Sequence, residues 1–522
     1  MKQYTVTILP LNRNFTAYEG DSLYTLLLVA GLIKAERQDA DQVRLEKGPV
    51  SEAEHPEAEA AVFSPAELTE GWMLASERRI IGDAIFTLAE ALPGRSEKAV
   101  PLTHGYALAV DLGTATIAAG LINLHNMHIP LLTHIRNSQA DIALESGDRL
   151  AYSRQSDDNK QRLQSLLRQD LNRAAQKLCH KAGISGEQVG AMVLVGNYAL
   201  IAILLGQLPP EQGPPLKKII RKTAAELGLT TMHAEAAIYI LPAASPLLGA
   251  DTTAAVLAAN LPAKIDEPAI TFLIDLGMRT ELIAAGGGRL LATSVSALPF
   301  EGAGLSSGMP AQNGAITDIR FNDTVLLQTI RDARPKGICG AGMLAVTHAL
   351  LASGMIDSEG RLLQPEHLAE DLARRFRVTM SGREFVLSWA DRNYDKDICV
   401  NQSDIHQVQL AKGAVYAACQ AILSDLGATE EDIAEIFLAE SSSVNISAEA
   451  ALAIGLLPQI EQNRVISIGN AAWQGAYIAL TDQAILAETE EIADRLESLD
   501  LTSDAIYAEE FIQAMNFNPA ES

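Results

Sequence analysis

Apolar and polar residues alternate along Tyr4-Thr5-Val6-Thr7-Ile8-Leu9, and a second such run spans Asn14 to Tyr18 before Glu19-Gly20. Period two predicts strands, and the glycine closes a turn. Asp21 or Ser22 then stands as N-cap to a helix carrying Leu23, Leu26, Leu27 and Ala30. Gln42 to Glu46 reads as a short strand, and Ile80 to Leu88 as a last one. Between them, Ser64-Pro65-Ala66-Glu67 is a capping box with proline at the first helical position. Strand, strand, helix, strand, short helix, strand is the order of a β-grasp unit, here residues 1–92. A Pro/Gly-containing linker, 93–105, follows. From Tyr106 strands and helices alternate, with a long helix from Lys160 to Ala182. This predicts an α/β body with a middle domain (106–240) and a C-terminal domain (241–522), without short-period repeats or low-complexity segments.

Two distant segments of that body share a shape. Ala109-Val110-Asp111-Leu112-Gly113-Thr114-Ala115-Thr116 and Leu273-Ile274-Asp275-Leu276-Gly277-Met278-Arg279-Thr280-Glu281 each run apolar up to Asp-Leu-Gly and then turn. A glycine lets the backbone turn with no Cβ in the way, and the N–H groups it exposes can hold phosphate. A strand-end Asp can hold a metal ion or a water. Two such turns, one per lobe, would face each other as an ATP clamp. We therefore take Asp111, Asp275 and Glu281 as catalytic candidates, Asp111 and Asp275 positioning Mg²⁺ and Glu281 orienting water. Gly113, Thr114, Thr116 and Gly277 are the matching phosphate-binding candidates. A third glycine loop, Gly337, Gly340 and Gly342, opens a helix and has the geometry of an anion site.

Composition narrows the class. Hydrophobic residues are 48% of 522 and aromatics only 5%, which favours large α/β cores built from Ala, Leu and Ile. A net charge of −25 argues against nucleic acid and anionic membrane as partners. The N-terminus is an alternating strand and not a secretion signal, and no apolar run is long enough to span a bilayer, so cytoplasm is the expected location. Cys179, Cys339, Cys399 and Cys419 have neither disulfide-framework nor zinc spacing, and the isolated histidines suggest no metal site.

Taken in order, further blocks carry a resemblance. They are Val195-Gly196-Asn197, Gly249-Ala250-Asp251-Thr252-Thr253-Ala254, Phe300-Glu301-Gly302-Ala303, Gly308-Met309 and Gly314-Ala315-Ile316. Pro335-Lys336-Gly337-Ile338-Cys339-Gly340-Ala341-Gly342, Gln409 to Ala414, Ile454 to Pro458 and Ile468-Gly469-Asn470-Ala471-Ala472 follow. With them the chain resembles the reductive activators of corrinoid proteins, members of the ASKHA superfamily of acetate and sugar kinases, chaperones and actin. The resemblance implies a ferredoxin-like N-terminal domain and a two-lobed ribonuclease-H-like body. It implies ATP and Mg²⁺ as ligands, a corrinoid protein or its methyltransferase as partner, and a homodimer. It also implies ATP-driven reduction of Co(II) corrinoid to Co(I), the electron passing through a two-iron, two-sulfur cluster held by four Cys thiolates.

The chain departs from that pattern at three functional places. No cysteine precedes Cys179: the loop Leu32 to Asp41 offers Glu36, Arg37, Gln38 and Asp39, and the fourth ligand position is Ser76. We expect no iron-sulfur cluster. In the second phosphate turn Met278, Arg279 and Thr280 replace small residues, so Arg279 either pairs with a phosphate or fills its space. In the adenosine loop Glu440-Ser441-Ser442-Ser443 replace glycines and should obstruct the nucleotide. Two readings follow: an activator-like protein, and so a candidate ATPase, without its own redox centre; or a non-catalytic scaffold or regulator on the same fold. A small-molecule kinase ranks third, since the matches run along the activators' whole length.

Overall fold

A computed structural model describes residues 3–9, 13–18, 20, 22–23, 27, 42–53, 56–63, 68, 71–88, 105–124, 131–207, 216–297, 300, 302–366, 368–380, 382–390, 396–440, 446–481 and 483–517. Among the described residues the N-terminal unit holds one five-stranded sheet and a helix, Pro56–Val62. Its strands are β1 (Gln3–Leu9), β2 (Arg13–Tyr18), β3 (Gln42–Lys47), β4 (Trp72–Leu74) and β5 (Ala84–Leu88), in the order β2-β1-β5-β3-β4. β1 and β5 run parallel at its centre, and the other neighbours are antiparallel. That is a β-grasp arrangement as the strand order predicts, with β4 as a further strand the sequence reading lacks and the last strand starting at Ala84 rather than Ile80. Leu23 and Leu27, one helical turn apart, are buried against Val6, Ile8, Val43 and Phe86. The carboxylate of Glu59 is buried and bound: Oε1 accepts from Leu74 N and Arg78 Nε, both at 3.0 Å, and Arg78 Nη2 pairs with Oε2. The predicted capping box at Ser64 to Glu67 and the loop Leu32 to Asp41 lie outside the described residues.

The body consists of two lobes of the same design. The first opens with the antiparallel meander β6 (Tyr106–Leu112), β7 (Thr116–Asn123) and β8 (Leu131–Arg136). Helices α1 (Ser146–Arg154) and α2 (Asp157–Ala182) follow, then β9 (Val189–Gly196), α3 (Tyr198–Leu205), β10 (Ile220–Thr223) and β11 (Ala237–Ile240). Helix α2 starts three residues before the predicted Lys160 because the Ser156 side chain caps it, accepting from Asn159 N at 3.1 Å. It ends at Gly183, φ 68°, a left-handed C-cap that glycine adopts without steric cost. The sheet order is β10-β11-β9-β6-β7-β8, with β9 parallel to β6 and β11 parallel to β9.

After α4 (Ala250–Ala258) the second lobe repeats the plan. Its meander is β12 (Ile270–Leu276), β13 (Arg279–Gly286) and β14 (Arg289–Ser296). Two three-stranded sheets are inserted next: β15 (Ala315–Phe321), β16 (Val325–Thr329) and β17 (Gly337–Ile338), then, after α5 (Gly340–Ala352), β18 (Phe376–Thr379), β19 (Gly382–Ser388) and β20 (Ile398–Asn401). Helix α6 (Gln402–Asp425), β21 (Ile433–Glu440), β22 (Val465–Gly469), α7 (Ala471–Thr481) and β23 (Leu496–Ser498) follow, among further helices, with sheet order β22-β21-β12-β13-β14-β23. In both lobes a meander's first strand sits beside two parallel strands. Asp111 and Asp275 therefore end equivalent strands, β6 and β12.

Helices α4 and α7 form the layer between the lobes. Ala250 and Ala254 of α4, with Trp473, Ala476 and Tyr477 of α7, pack on the apolar face of the first sheet. Ala255 and Val256, one step round α4, pack against Leu273 and Ile283 of the second. The crossing is close: a Cβ on Gly475 would stand 1.9 Å from Ala254 O, and one on Gly120 would stand 2.5 Å from the Trp473 ring. Trp473 Nε1 donates to Ala109 O at 3.0 Å, so the buried indole is satisfied. Among the described residues no helix is long and apolar enough to cross a membrane.

Candidate functional site

Asp111 and Asp275 line one cleft of about 360 Å³ between the lobes, together with Gly113, Thr114, Thr116, Gly277 and Glu281. The first turn is tightly built. A Cβ on Gly113 would lie 2.3 Å from Thr116 O, so glycine is required there. Asn137 Nδ2 donates to Gly113 O at 2.9 Å. Asn197 caps α3, accepting from Leu200 N, and its Nδ2 donates to Thr114 Oγ1 at 3.0 Å. Asn470, from the second lobe, donates its Nδ2 to Asp111 Oδ2 at 2.8 Å, while its Oδ1 accepts from Trp473 N at 2.8 Å. The second lobe thus holds the carboxylate of the first at the cleft floor.

The second turn differs in charge. Asp275 and Glu281 are direct cross-strand partners on β12 and β13. Glu281 Oε2 accepts from Thr252 Oγ1 at 2.7 Å, and Asp251, at the start of α4, accepts Thr252 N at 3.0 Å. Burial raises the pKa of Asp251 to about 6. Burial, then the charges of Asp251 and Asp275, raises that of Glu281 well above the usual carboxylate range. Arg279 is exposed and turned along the hairpin: Nε donates to Ser294 Oγ at 3.1 Å and Nη2 to Ser294 O at 3.3 Å. It lines the cleft mouth, as does Arg154, opposite Asp111, Glu145, Asp251, Asp275 and Glu281. Carboxyl groups from both lobes, Asp111 on one side and Asp275 on the other, could hold a divalent cation that enters with a nucleotide. Among the described residues no three His, Cys, Asp or Glu side chains are grouped to hold a metal ion alone. Phosphate oxygens and water would complete a Mg²⁺ shell here, as that ion prefers.

The raised carboxyls give a signed pH dependence. A carboxyl whose folded pKa exceeds its unfolded one stabilises the protein at low pH, and that stability is lost as pH rises through the folded value. Between about pH 4 and 7, without nucleotide or Mg²⁺, the melting temperature should fall. Asp251 alone contributes about 3 kcal/mol on a shift from 3.8 to about 6. Asp251→Asn should flatten that limb; a scan in which the variant keeps the wild-type slope would show the carboxyl is not responsible.

Gly337, Gly340 and Gly342 do not line the cleft. Each is buried against main chain or side chain: a Cβ would stand 2.8 Å from Ser307 O at Gly337, 1.7 Å from Phe300 O at Gly340 and 2.0 Å from Ile316 O at Gly342. Cys339 is buried and donates Sγ–H to Ile316 O at 3.1 Å. Beside this loop lies a second cavity, of about 410 Å³, lined by Arg334, Lys336, Lys396, Ser306 and Trp389 among others. Asp397, also in its wall, is taken up by Arg377 Nη1 at 2.6 Å and Ala390 N at 2.6 Å. The side chain of Glu440 and residues Ser441 to Ser443, where an obstructed adenosine loop is expected, lie outside what the structure describes.

The family model for the middle region of RACo matches residues 106–264, and that for the C-terminal ASKHA domain of RACo matches 269–522. The chain belongs to the reductive activators of corrinoid proteins. Among curated relatives, corrinoid activation enzyme RamQ of Eubacterium limosum is 26% identical over 431 residues, covering 81% of this chain and 71% of that one. The [Co(II) methylated amine-specific corrinoid protein] reductase of Methanosarcina barkeri is 22% identical over 283 residues, 50% of this chain and 47% of its own length. A solved reductive activator for corrinoid, iron-sulfur protein superposes with a TM-score of 0.74 at 23% identity, covering 98% of each chain. It bears out the fold, N-terminal sheet included.

In this activator-family chain, sequence reasoning passed over Glu145, Ser146, Gly147 and Arg154, which form one lip of the cleft, and gave Asn470 no site role. One signal for Asn470 was present. Gly196-Asn197 and Gly469-Asn470 each follow an apolar strand and precede a helix, and both amides reach the same turn.

Proposed function

We propose that this chain is an ATP-dependent activator of a corrinoid protein that takes its electron from a separate donor. One observation carries the reading: the two Asp-Leu-Gly turns, on equivalent strands of two lobes, open onto a single cleft with carboxylates on both sides. Backbone N–H groups around Gly113 to Thr116 would hold phosphates, and Asp111 and Asp275 would hold Mg²⁺ through water. Glu281, close to Asp275 and hydrogen-bonded to Thr252, would orient the attacking water. The contact between Asn470 and Asp111 gives nucleotide binding a direct means of moving one lobe against the other. The names of the relatives, which act on corrinoid proteins, support the partner class.

A two-iron, two-sulfur cluster does not fit these residues. The four cysteines are all buried in the body, at Cys179, Cys339, Cys399 and Cys419, and the N-terminal unit supplies none. Carboxylates and a serine do not replace thiolates around iron. The single electron that takes Co(II) to Co(I) must then come from an external low-potential donor. We assign partner contact to the second cavity, whose Lys336 and Lys396 give this acidic chain a locally positive surface. An acidic partner would be steered there.

The test is an anaerobic assay with a Co(II) corrinoid protein of the same organism, an external reductant and this chain. Mg-ATP should be required for the Co(I) spectrum. Lys336→Glu with Lys396→Glu should weaken association with the partner at least about tenfold while leaving nucleotide affinity unchanged. Association that ignores ATP, without any reduction, would support the scaffold reading instead. Stoichiometric iron and sulfide in the purified chain would contradict the external donor.

A further inference from the structure

Arg149 of α1 is fully buried, 0% exposed, yet no carboxylate among the described residues pairs with it. Its guanidinium is met by main-chain carbonyls: Nε donates to Ala143 O at 2.9 Å, and Nη2 to Thr114 O at 2.7 Å and Leu144 O at 3.0 Å. Nη1 has no hydrogen-bond partner. Carbonyls satisfy donors without neutralising charge, and a guanidinium held out of water with no counter-ion is costly to the fold. Burial brings its pKa down to about 10, so it is still a cation at neutral pH.

Its position gives that cost a use. Thr114 belongs to the first phosphate turn, and Leu144 precedes Glu145, Ser146 and Gly147 on the opposite lip. One guanidinium therefore fastens both lips. In a planar trans peptide the N–H points opposite to the C=O. With Thr114 O and Leu144 O drawn onto Arg149, the N–H groups of Ala115 and Glu145 point away from it, and both residues line the cleft. The buried cation lies directly behind the backbone that would meet a phosphate, where low dielectric strengthens its field.

We propose that Arg149 is a positioning residue whose unneutralised charge finds its counter-charge in the phosphates of a nucleotide bound in the cleft. This rests on the nucleotide reading above. It separates from a purely structural clamp because the two make opposite forecasts. If the charge serves the ligand, Arg149→Gln, which removes it but keeps an amide donor, should lose ligand affinity whatever the lost carbonyl contacts do to its melting temperature. Its affinity for Mg-ADP, and for inorganic phosphate as the probe of the phosphate half alone, should fall at least about tenfold. Arg149→Lys, which keeps the charge but loses the fork, should retain affinity within about fivefold, and should do so even if Arg149→Gln proves too unstable to measure.

Calorimetry and thermal shift on the full chain decide it. Arg149→Gln binding like wild type but melting lower would overturn the proposal in favour of a clamp. So would Arg149→Lys losing affinity by more than tenfold. Wild-type protein that binds neither Mg-ADP nor phosphate would instead overturn the nucleotide reading on which this rests.

Discussion

Asp111→Asn should lower affinity for Mg-ADP at least a hundredfold, about 2.7 kcal/mol, without lowering the melting temperature of the free protein. Asp111 is 4% exposed and is held by Asn470 across the lobe boundary. An asparagine of the same shape removes one negative charge from a cleft that already gathers Asp251, Asp275 and Glu281. The free fold gains from less crowding of like charge, while the divalent cation loses an anchor. Lost affinity at unchanged stability is the mark of a ligand-binding carboxylate. Unchanged affinity would make Asp111 an inherited turn residue that binds nothing. The same substitution at Asp275 is expected to act in the same direction, since that residue ends the equivalent strand of the other lobe.

The second large effect concerns the glycine loop at the start of α5. Gly340→Ala places a methyl 1.7 Å from Phe300 O and 2.7 Å from Phe300 Cα. Main chain cannot swing aside as a long side chain can, so α5 or the segment at Phe300 must shift. We expect a cost of at least about 3 kcal/mol, seen as a melting temperature roughly 10 °C lower for a lobe of this size. Whatever fraction stays folded should bind Mg-ADP normally, because Gly337, Gly340 and Gly342 are not part of the cleft lining. A variant of near-native stability that has lost phosphate affinity would return the loop to the role of an anion site, which its sequence suggests.

What the chain's pattern made legible was the part that depends on local physics. The paired Asp-Leu-Gly turns could be read because strand, glycine and small residues sit next to each other in sequence, and each turn is made by neighbours. The β-grasp order could be read for the same reason, strand by strand. The lip formed by Glu145 to Gly147 could not, since nothing in Leu144-Glu145-Ser146-Gly147 announces that α1 brings it opposite Thr114. Arg149 was hidden more deeply: an arginine in a polar helix reads as solvated until packing shows it buried on carbonyls. Gly337, Gly340 and Gly342 illustrate the converse. A glycine run before a helix has the same sequence whether the missing Cβ makes room for a phosphate or for Phe300 and Ile316, and only tertiary contact tells the two apart. Arg279 offered two fates by sequence, and the structure shows a third, tied back along its own hairpin to Ser294.

The measurement that bears most directly on the central claim is calorimetric titration of the unmodified chain with Mg-ATP and Mg-ADP, with thermal melts at saturating nucleotide. The cleft predicts binding at micromolar affinity or better, about −8 kcal/mol, and stabilisation of roughly 2.7 kcal/mol at a hundred times the dissociation constant. No heat together with an unmoved melting temperature would contradict it, and would leave a two-lobed scaffold that has kept the fold of an activator and lost its nucleotide.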